Sequence, residues 1–401
     1  MTSKSISSLA HDECYGCKAC GDVCPKKAIS FSLDEEGFLY PSVNANCIDC
    51  GLCSKVCPAK SPFKGCEGAE QSFIGCLDKT VERRNTGSSG GVFGLLASTL
   101  MSEGYEICAS AFDEDLKLRH CFANNENEVE RQKKSKYLQS DCGGIYRRLK
   151  EKLTAGQHVM FVGTPCQCAA LKSYLGVLSS EAVIVDFACH GVPSQDLFDK
   201  CICYYEQKHD CKVKSYSFRH KPKRYGAPQN FLLYIQKGDR TLSVEGKYYQ
   251  EPFYCGFQKY ITLRPSCYQC KFARTERVSD ITLADYWGVE DVTNKWDRTD
   301  HPSLVIVNSD KGKQLFDHIK PQLDYFETTK DKGIKKNGSL YSPTTIKTKL
   351  RDNFFTDLKS LPFEEVVEKH LKEKRALLKD LYYAIPFSIR KIMLNILNKT
   401  K

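Results

Sequence analysis

"HVMFVGTPCQCAALKSYL" (His158–Leu175) is the stretch that decides the fold class. An apolar, β-branched run leads into a sharp G-T-P-C turn, and a helical pattern follows from about Gln167. "AVIVDFACHGVPSQDLFDKCICYY" (Ala182–Tyr205) repeats this order of strand, turn and helix. Continuous apolar strands that alternate with helices predict an α/β domain with a largely parallel sheet that is buried on both faces.

The cysteines in these two turns are candidate metal ligands. In a parallel sheet both turns lie at the carboxyl edge, where ligands bind, so we expect Cys166 and Cys189 to lie near one another. "RPSCYQC" (Arg264–Cys270) adds a C-x-x-C pair shortly before the strand-like "SDITLADYW" (Ser279–Trp287). These four cysteines together would close a 4Fe-4S cluster. The alternative is that Cys267 and Cys270 bind zinc or nothing and that Cys166 is a catalytic thiol.

The N-terminal part carries an internal repeat of cysteines. "CYGCKACGDVCP" (Cys14–Pro25) and "CIDCGLCSKVCP" (Cys47–Pro58) both have the pattern C-x-x-C-x-x-C-x-x-x-C-P. In such repeats, three thiolates of each run bind one 4Fe-4S cluster and the fourth thiolate binds the other cluster. The predicted ligand sets are Cys14, Cys17, Cys20 and Cys57 for one cluster, and Cys47, Cys50, Cys53 and Cys24 for the other. Zinc is the alternative, but zinc sites seldom use three cysteines at two-residue gaps followed by C-P.

Composition and charge exclude several classes of protein. The 401 residues are 41% hydrophobic and 27% charged, which is typical of a folded globular chain. No signal-sequence pattern precedes Cys14 and no apolar run approaches the roughly 20 residues of a membrane helix, so we expect a cytoplasmic protein whose 22 cysteines serve metal or redox chemistry. The formal charge of +10 falls to about +4 once three clusters with their thiolates are counted, so it is no argument for nucleic-acid binding.

A glycine- and serine-rich segment is a further candidate binding site. "RRNTGSSGGVFGLLASTLMSEG" (Arg83–Gly104) has the pattern of a loop that opens a helix. Accessible amides at such a helix start could receive a phosphate. The alternative is a helix cap with close backbone packing.

Several motifs together resemble the coenzyme F420 hydrogenase/dehydrogenase beta-subunit family. They are "SSGGVF", "SKYLQS", "GTPCQ", "CHGVPS", "FRHK", "RPSCYQC" and "DITLADYWG", and "SLVIVNSDKG" and "LRDNFF" extend the likeness toward residue 355. The resemblance implies a flavoprotein with FAD beside a cubane in the main domain, and it favours the cluster of Cys166, Cys189, Cys267 and Cys270. Ala284 departs from the glycine usual in the family before D-[FY]-W-G, and we expect its methyl group to narrow the space near a ligand.

The same resemblance implies a flavin site. Its cofactor-binding candidates are Ser88, Ser89, Gly90, Gly91, Lys136, Tyr137, Gly163, Thr164, Gln167 and Trp287. The catalytic candidates are His190, as a proton donor to substrate, and Asp285, as a partner of flavin, substrate or a loop amide. The alternative role of His190 is a hydrogen bond to a cluster sulfur or to the backbone.

Two basic segments complete the sequence. "FRHKPKRYG" (Phe218–Gly226) could grip an anionic group, although such charge runs are more often solvated surface. The C-terminal tail (346–401) is helical in period and rich in Lys and Leu, and it could contact a membrane surface or a partner helix. Packing of the tail on its own domain is the favoured expectation.

The predicted organisation has four parts: a ferredoxin-type domain (1–64), an N-terminal α/β part (70–215), a C-terminal part (216–345) and the tail (346–401). The predicted function is an oxidoreductase that passes electrons between ferredoxin or reduced coenzyme F420 and a small organic substrate, with polysaccharide biosynthesis as one setting. The alternative is an electron-transfer subunit without its own substrate, which docks on a partner subunit. A zinc-dependent nucleic-acid binder is a weaker third hypothesis.

Overall fold

The computed structural model describes residues 4–66, 70–221, 229–343, 349–386 and 389–390, so most of the predicted basic loop (218–226) lies outside the described residues. Strands and helices alternate through most of the described chain. The strands are β1 (Ile29–Leu33), β2 (Leu39–Val43), β3 (Ser72–Asp78), β4 (Tyr105–Phe112), β5 (Leu118–Ala123), β6 (His158–Gly163), β7 (Val183–Phe187), β8 (Lys212–His220), β9 (Asn230–Lys237), β10 (Arg240–Lys247), β11 (Ile281–Asp285), β12 (Ser303–Val307) and β13 (Leu323–Thr328).

The α-helices range from one turn to four turns. They are α1 (Ala19–Val23), α2 (Leu52–Lys55), α3 (Val81–Thr86), α4 (Val92–Ser102), α5 (Glu126–Gln132), α6 (Ile145–Thr154), α7 (Pro165–Leu175), α8 (Gln195–His209), α9 (Pro252–Gln258), α10 (Asp310–Ile319), α11 (Lys330–Ile334), α12 (Lys349–Ser360), α13 (Phe363–Val366) and α14 (Ala376–Ala384).

A mixed sheet organises the main domain, in the order β13-β3-β12-β11-β7-β6-β4-β5. Its middle strands β4, β6, β7 and β11 are parallel, and the strands that flank them are antiparallel. The predicted α/β class and its parallel core are therefore confirmed. The antiparallel edge beside β4 follows from a short connection, because residues 113–117 are too few for a crossover helix.

Helices cover both faces of this sheet. Alternate residues of β6 point to opposite sides: Met160 and Val162 pack with α4 and α10, whereas Val159 and Phe161 pack with α6 and α7. Burial on both faces explains why the strands are almost continuously apolar. Because β6, β7 and β11 are parallel, their carboxyl ends lie at the same edge of the sheet.

The predicted N-terminal hairpin forms as β1 and β2, which pair antiparallel from Ile29 opposite Val43. The Asp34 carboxylate closes its turn by accepting the amide hydrogens of Glu36 and Phe38 at 3.0 and 2.7 Å. Gly37 takes a left-handed conformation (φ +81°), which glycine adopts without strain.

The chain divides into two compact units that differ from the predicted boundaries. The first contains Met1–Lys133, Leu138–Asp196 and Leu263–Lys347, and the second contains Lys134–Tyr137, Leu197–Thr262 and Thr348–Lys401. The predicted parts 70–215 and 216–345 share one sheet, because β11, β12 and β13 pair beside β7 and β3.

The second unit has its own antiparallel sheet, in the order β10-β9-β8, and an aromatic core. Tyr216, Phe218 and Phe253 pack together in this core. Glu251 is buried and caps α9, because its carboxylate accepts the Tyr254 amide at 2.7 Å and the Tyr216 hydroxyl at 2.7 Å.

Candidate functional site

The first group of four thiols, called quartet A, consists of Cys14, Cys17, Cys20 and Cys57. All four are buried in the first unit. Burial raises the pKa of Cys17, and the nearby Cys57 and Cys20 raise it further. Burial likewise raises the pKa of Cys20, followed by Cys14 and Cys57. Four buried thiolates this close together require a positively charged group among them, and the iron core of a cluster meets that requirement.

The second group, quartet B, consists of Cys24, Cys47, Cys50 and Cys53, which line one cavity beside the β1–β2 hairpin. Three of these sulfurs accept backbone amide hydrogens, from Ala28 at 3.3 Å, Asp49 at 3.4 Å and Ile6 at 3.3 Å. Such N–H···S bonds favour the thiolate and tune the reduction potential of a cluster. The division of the eight cysteines into these two ligand sets rests on their spacing in the sequence and stays a prediction.

The third group, quartet C, consists of Cys166, Cys189, Cys267 and Cys270, which line a second cavity. Cys166 opens α7 directly after β6, and Cys189 follows the neighbouring parallel strand β7. The other two lie at a 3-10 turn (Pro265–Gln269). The amide of Arg264 donates to the Val192 carbonyl at 2.9 Å and holds that turn against the loop after β7.

Burial dominates the electrostatics of quartet C. It raises the pKa of Cys166 and Cys267, and it raises the pKa of Cys189 to about 12. The other thiolates of the quartet add to each rise, while backbone amides such as that of Gly191 oppose it. The donor set therefore fits the cationic iron–sulfide core of a 4Fe-4S cluster. Among the described residues, no group of three His, Cys, Asp or Glu side chains is placed to bind a single metal ion. A 4Fe-4S cluster is larger than one ion, so its ligands lie further apart.

Buried contacts join quartet A to quartet C within the first unit. Arg264 is fully buried and its Nε donates to the Cys14 carbonyl at 2.6 Å. The Ser266 hydroxyl donates to the same carbonyl at 3.0 Å. Tyr15 lines the quartet C cavity and packs edge-on against Phe272, with ring centroids 5.3 Å apart. The chain that carries Cys267 is thus bonded directly to the chain that carries Cys14.

The two catalytic candidates, His190 and Asp285, and the cofactor-binding candidate Trp287 fall at different places along the carboxyl edge. His190 lines the quartet C cavity, whereas Asp285 and Trp287 are not among its lining residues. Asp285 ends β11, and its backbone carbonyl accepts a hydrogen bond from the side-chain Nδ2 of Asn337 at 3.0 Å.

Three flavin candidates, Gly163, Thr164 and Gln167, lie at the junction of β6 and α7. The Gln167 side chain accepts the Thr164 amide hydrogen at 2.9 Å and donates to the Ser140 hydroxyl at 3.0 Å. A Cβ on Gly163 would lie 2.8 Å from the Phe161 ring. Helix capping and close packing therefore account for the residue types at these positions.

The Ser88–Gly91 loop lies beside the start of β12. The Ser89 hydroxyl is 2.7 Å from that of Ser303, and the Gly90 amide donates to the Ser303 hydroxyl at 2.9 Å. A Cβ on Gly90 would come within 2.6 Å of the Cys76 carbonyl oxygen, so close packing demands glycine. Because Ser303 pairs with Asp285, this loop shares the sheet edge that carries Asp285.

The remaining two candidates, Lys136 and Tyr137, belong to the second unit. The Tyr137 ring stacks on Phe257 with centroids 4.4 Å apart and meets Phe218 edge-on. Within that unit Tyr137 is part of the aromatic core.

Sequence reasoning missed a buried ion pair beside quartet C. Arg277 lines the cavity, and its Nη2 lies 3.0 Å from Asp186 Oδ1, with both side chains almost fully buried. Thr282 donates to the same carboxylate oxygen at 2.6 Å. One signal was available, because Asp186 is a charged residue inside an otherwise apolar strand.

Two family models match the chain. Residues 13–61 match the 4Fe-4S dicluster domain, and residues 156–332 match the C terminus of the coenzyme F420 hydrogenase/dehydrogenase beta subunit. The chain thus combines a region similar to 4Fe-4S dicluster domains with a region similar to the C terminus of coenzyme F420 hydrogenase/dehydrogenase beta subunits. Quartets A and B lie within residues 13–61, and quartet C lies within residues 156–332. The resemblance of the motifs to this family is thereby confirmed.

Other comparisons are more distant. No curated protein matches the sequence. A chain in the xenon-derivatised F420-reducing [NiFe] hydrogenase complex from Methanosarcina barkeri is 14% identical, with a TM-score of 0.44, over 77% of this chain and 95% of that chain. Among the described residues, no helix has the length and apolar character needed to cross a membrane.

Proposed function

We propose that the protein is an iron–sulfur flavoprotein oxidoreductase with three 4Fe-4S clusters, held by quartets A, B and C. It passes electrons between ferredoxin or reduced coenzyme F420 and a small organic substrate, with polysaccharide biosynthesis as a proposed setting. The observation that supports the proposal is the pair of hydrogen bonds from Arg264 and Ser266, next to Cys267, to the Cys14 carbonyl.

The remaining residues have proposed supporting roles. FAD, when bound, exchanges single electrons with a cluster and electron pairs with an organic substrate. Ser88, Ser89, Gly163 and Thr164 lie along the carboxyl edge of the sheet, which is where such sheets bind ligands. His190, on the cavity wall, is the proposed proton donor. Asp285 is the proposed partner of the bound flavin or substrate.

An electron-transfer subunit without its own substrate is the second candidate. It is favoured by the surface at quartet B, where Cys47 and Cys50 are exposed. Ile48 and Leu52 beside them are 59% and 39% exposed. Exposed apolar side chains around a cluster are suited to docking a partner protein.

Iron, sulfide and flavin per chain, measured after anaerobic purification, test the proposal. About twelve irons and one FAD support it. About eight irons per chain and no flavin would show that quartet C holds no cluster and that the protein does not bind FAD. Turnover by the isolated protein with a chemical electron donor supports the enzyme, whereas co-purification with a partner and no turnover alone supports the electron-transfer role.

A further inference from the structure

Helix α14 packs on its own unit through its polar side. Lys379, Asp380 and Tyr383 are half-buried and lie on one face. The Asp380 carboxylate accepts hydrogen bonds from Lys247 at 2.6 Å and from the Tyr249 hydroxyl at 2.9 Å. These contacts fix which side of the helix faces the protein.

The opposite face of α14 is apolar and exposed. Leu377, Leu378 and Leu381 are 80%, 62% and 67% exposed. Their spacing places them on one side of the helix. A soluble helix normally buries its apolar side, so this reversed arrangement marks a surface for binding.

The charge around α14 selects the partner. Lys374 and Arg375 are exposed just before the helix, and Lys372 beside them pairs with Glu368 at 2.8 Å. Residues 369–401 contain nine Lys and Arg against two acidic residues, although residues 391–401 lie outside the described part of the chain. A second copy of this segment would meet like charge, which opposes self-association. An anionic surface meets opposite charge.

We propose that α14 binds the surface of an anionic lipid bilayer. The three leucines enter the boundary between headgroups and acyl chains, and the basic residues contact the anionic headgroups. The helix lies in the plane of the interface and does not cross the bilayer. This surface belongs to the second unit and involves none of the three quartets, so the proposal stands independently of the redox function.

Flotation of the full-length protein with vesicles tests the proposal. We expect binding to vesicles of phosphatidylcholine with phosphatidylserine, no binding to phosphatidylcholine alone, and weaker binding as salt rises. The variant Leu377→Ser/Leu378→Ser/Leu381→Ser should lower vesicle partitioning at least tenfold. Val177→Ser is the matched control, because Val177 is 90% exposed and lies in the first unit, and it should change nothing.

A charge variant provides an independent second measurement. Lys374→Gln/Arg375→Gln should lower partitioning into anionic vesicles at least tenfold, because each basic residue at such a surface contributes about fivefold. All variants should keep the wild-type iron content and melting temperature, since the altered side chains are exposed. Failure of the wild type to bind anionic vesicles would overturn the proposal. So would a leucine variant that binds normally, or one whose only change is the loss of an oligomer seen by sedimentation.

Discussion

The guanidinium of Arg264 donates from Nε to the carbonyl of Cys14 at 2.6 Å. Its other hydrogen bonds go to the Gln139 side-chain oxygen at 2.9 Å and to the Leu39 carbonyl at 3.0 Å, both neutral acceptors. None of the ion pairs among the described residues includes this fully buried side chain. A buried charge needs a counter-charge. The net negative charge of clusters in quartets A and C would supply it.

The first prediction concerns this charge. Arg264→Gln should make reduction of the adjacent clusters less favourable, because a nearby positive charge stabilises the added electron. We expect a shift to lower potential of about 59 mV for each tenfold change in the one-electron equilibrium. Potentiometric titration monitored by electron paramagnetic resonance measures it.

Arg264→Lys serves as the control for the charge, since it keeps the cation but loses the planar fork. It should restore most of the potential even where it lowers stability. Equal potentials in the wild type and Arg264→Gln would contradict an electrostatic role and leave Arg264 as a packing residue.

The second prediction compares two cysteines on one helix. Cys166 lines the quartet C cavity, whereas the Cys168 thiol lies two residues on and hydrogen-bonds to the carbonyls of Gly163 and Val185. Cys166→Ser should lose about four irons per chain, and Cys168→Ser should keep the wild-type content. Iron and sulfide analysis decides between them. Loss of iron from Cys168→Ser alone would show that the ligand was assigned to the wrong cysteine.

Local spacing made much of this molecule predictable. The repeated C-x-x-C-x-x-C-x-x-x-C-P pattern determines which cysteines can share a cluster, because three ligands lie on one loop. Two strand–turn–helix units were enough to predict the parallel core. Because parallel strands end at the same edge of a sheet, the same units predicted that Cys166 and Cys189 lie at one edge.

Contacts between distant segments could not be predicted in the same way. The bond from Arg264 to Cys14 joins residues 250 positions apart, and no periodicity marks it. The pairing of β12 with β3 likewise depends on the whole sheet. Gly90 shows a different limit, because a glycine-rich helix start looks alike whether it binds phosphate or packs against a carbonyl. We expected the C-terminal tail to pack on its own domain. The polar face of α14 does so, whereas the face that carries its leucines is exposed.

The third prediction concerns Asp22, which connects the dicluster domain to the start of α6. Its carboxylate is buried and accepts the amide hydrogens of Gly144 at 2.7 Å and Tyr146 at 3.1 Å. Asp22→Ala leaves these amides without an acceptor and should destabilise the protein by about 2 kcal/mol. Anaerobic denaturant unfolding measures the loss, and hydrogen exchange should show faster exchange at the start of α6.

Glu114→Ala is the control for Asp22, because Glu114 is exposed in the β4–β5 turn. Substitutions at such positions usually change stability by less than about 0.5 kcal/mol. Equal stability of the two variants would show that solvent replaces the carboxylate at the start of α6.

The fourth prediction is a pH dependence near neutrality. Burial lowers the pKa of His220, the Lys134 charge lowers it further, and Glu245, whose carboxylate lies 3.4 Å from the imidazole, opposes part of this effect. The unfolded chain therefore takes up a proton near pH 6.5, before the folded protein does. Stability should fall as the pH drops below about 6.5 and level off beneath the folded pKa. Melting temperatures between about pH 8 and pH 5.5 report the change.

His220→Gln should weaken this dependence of stability on pH, whereas His209→Gln, at an exposed position, should not. A wild-type protein that gains stability on acidification over this range would show that the pair with Glu245 dominates instead.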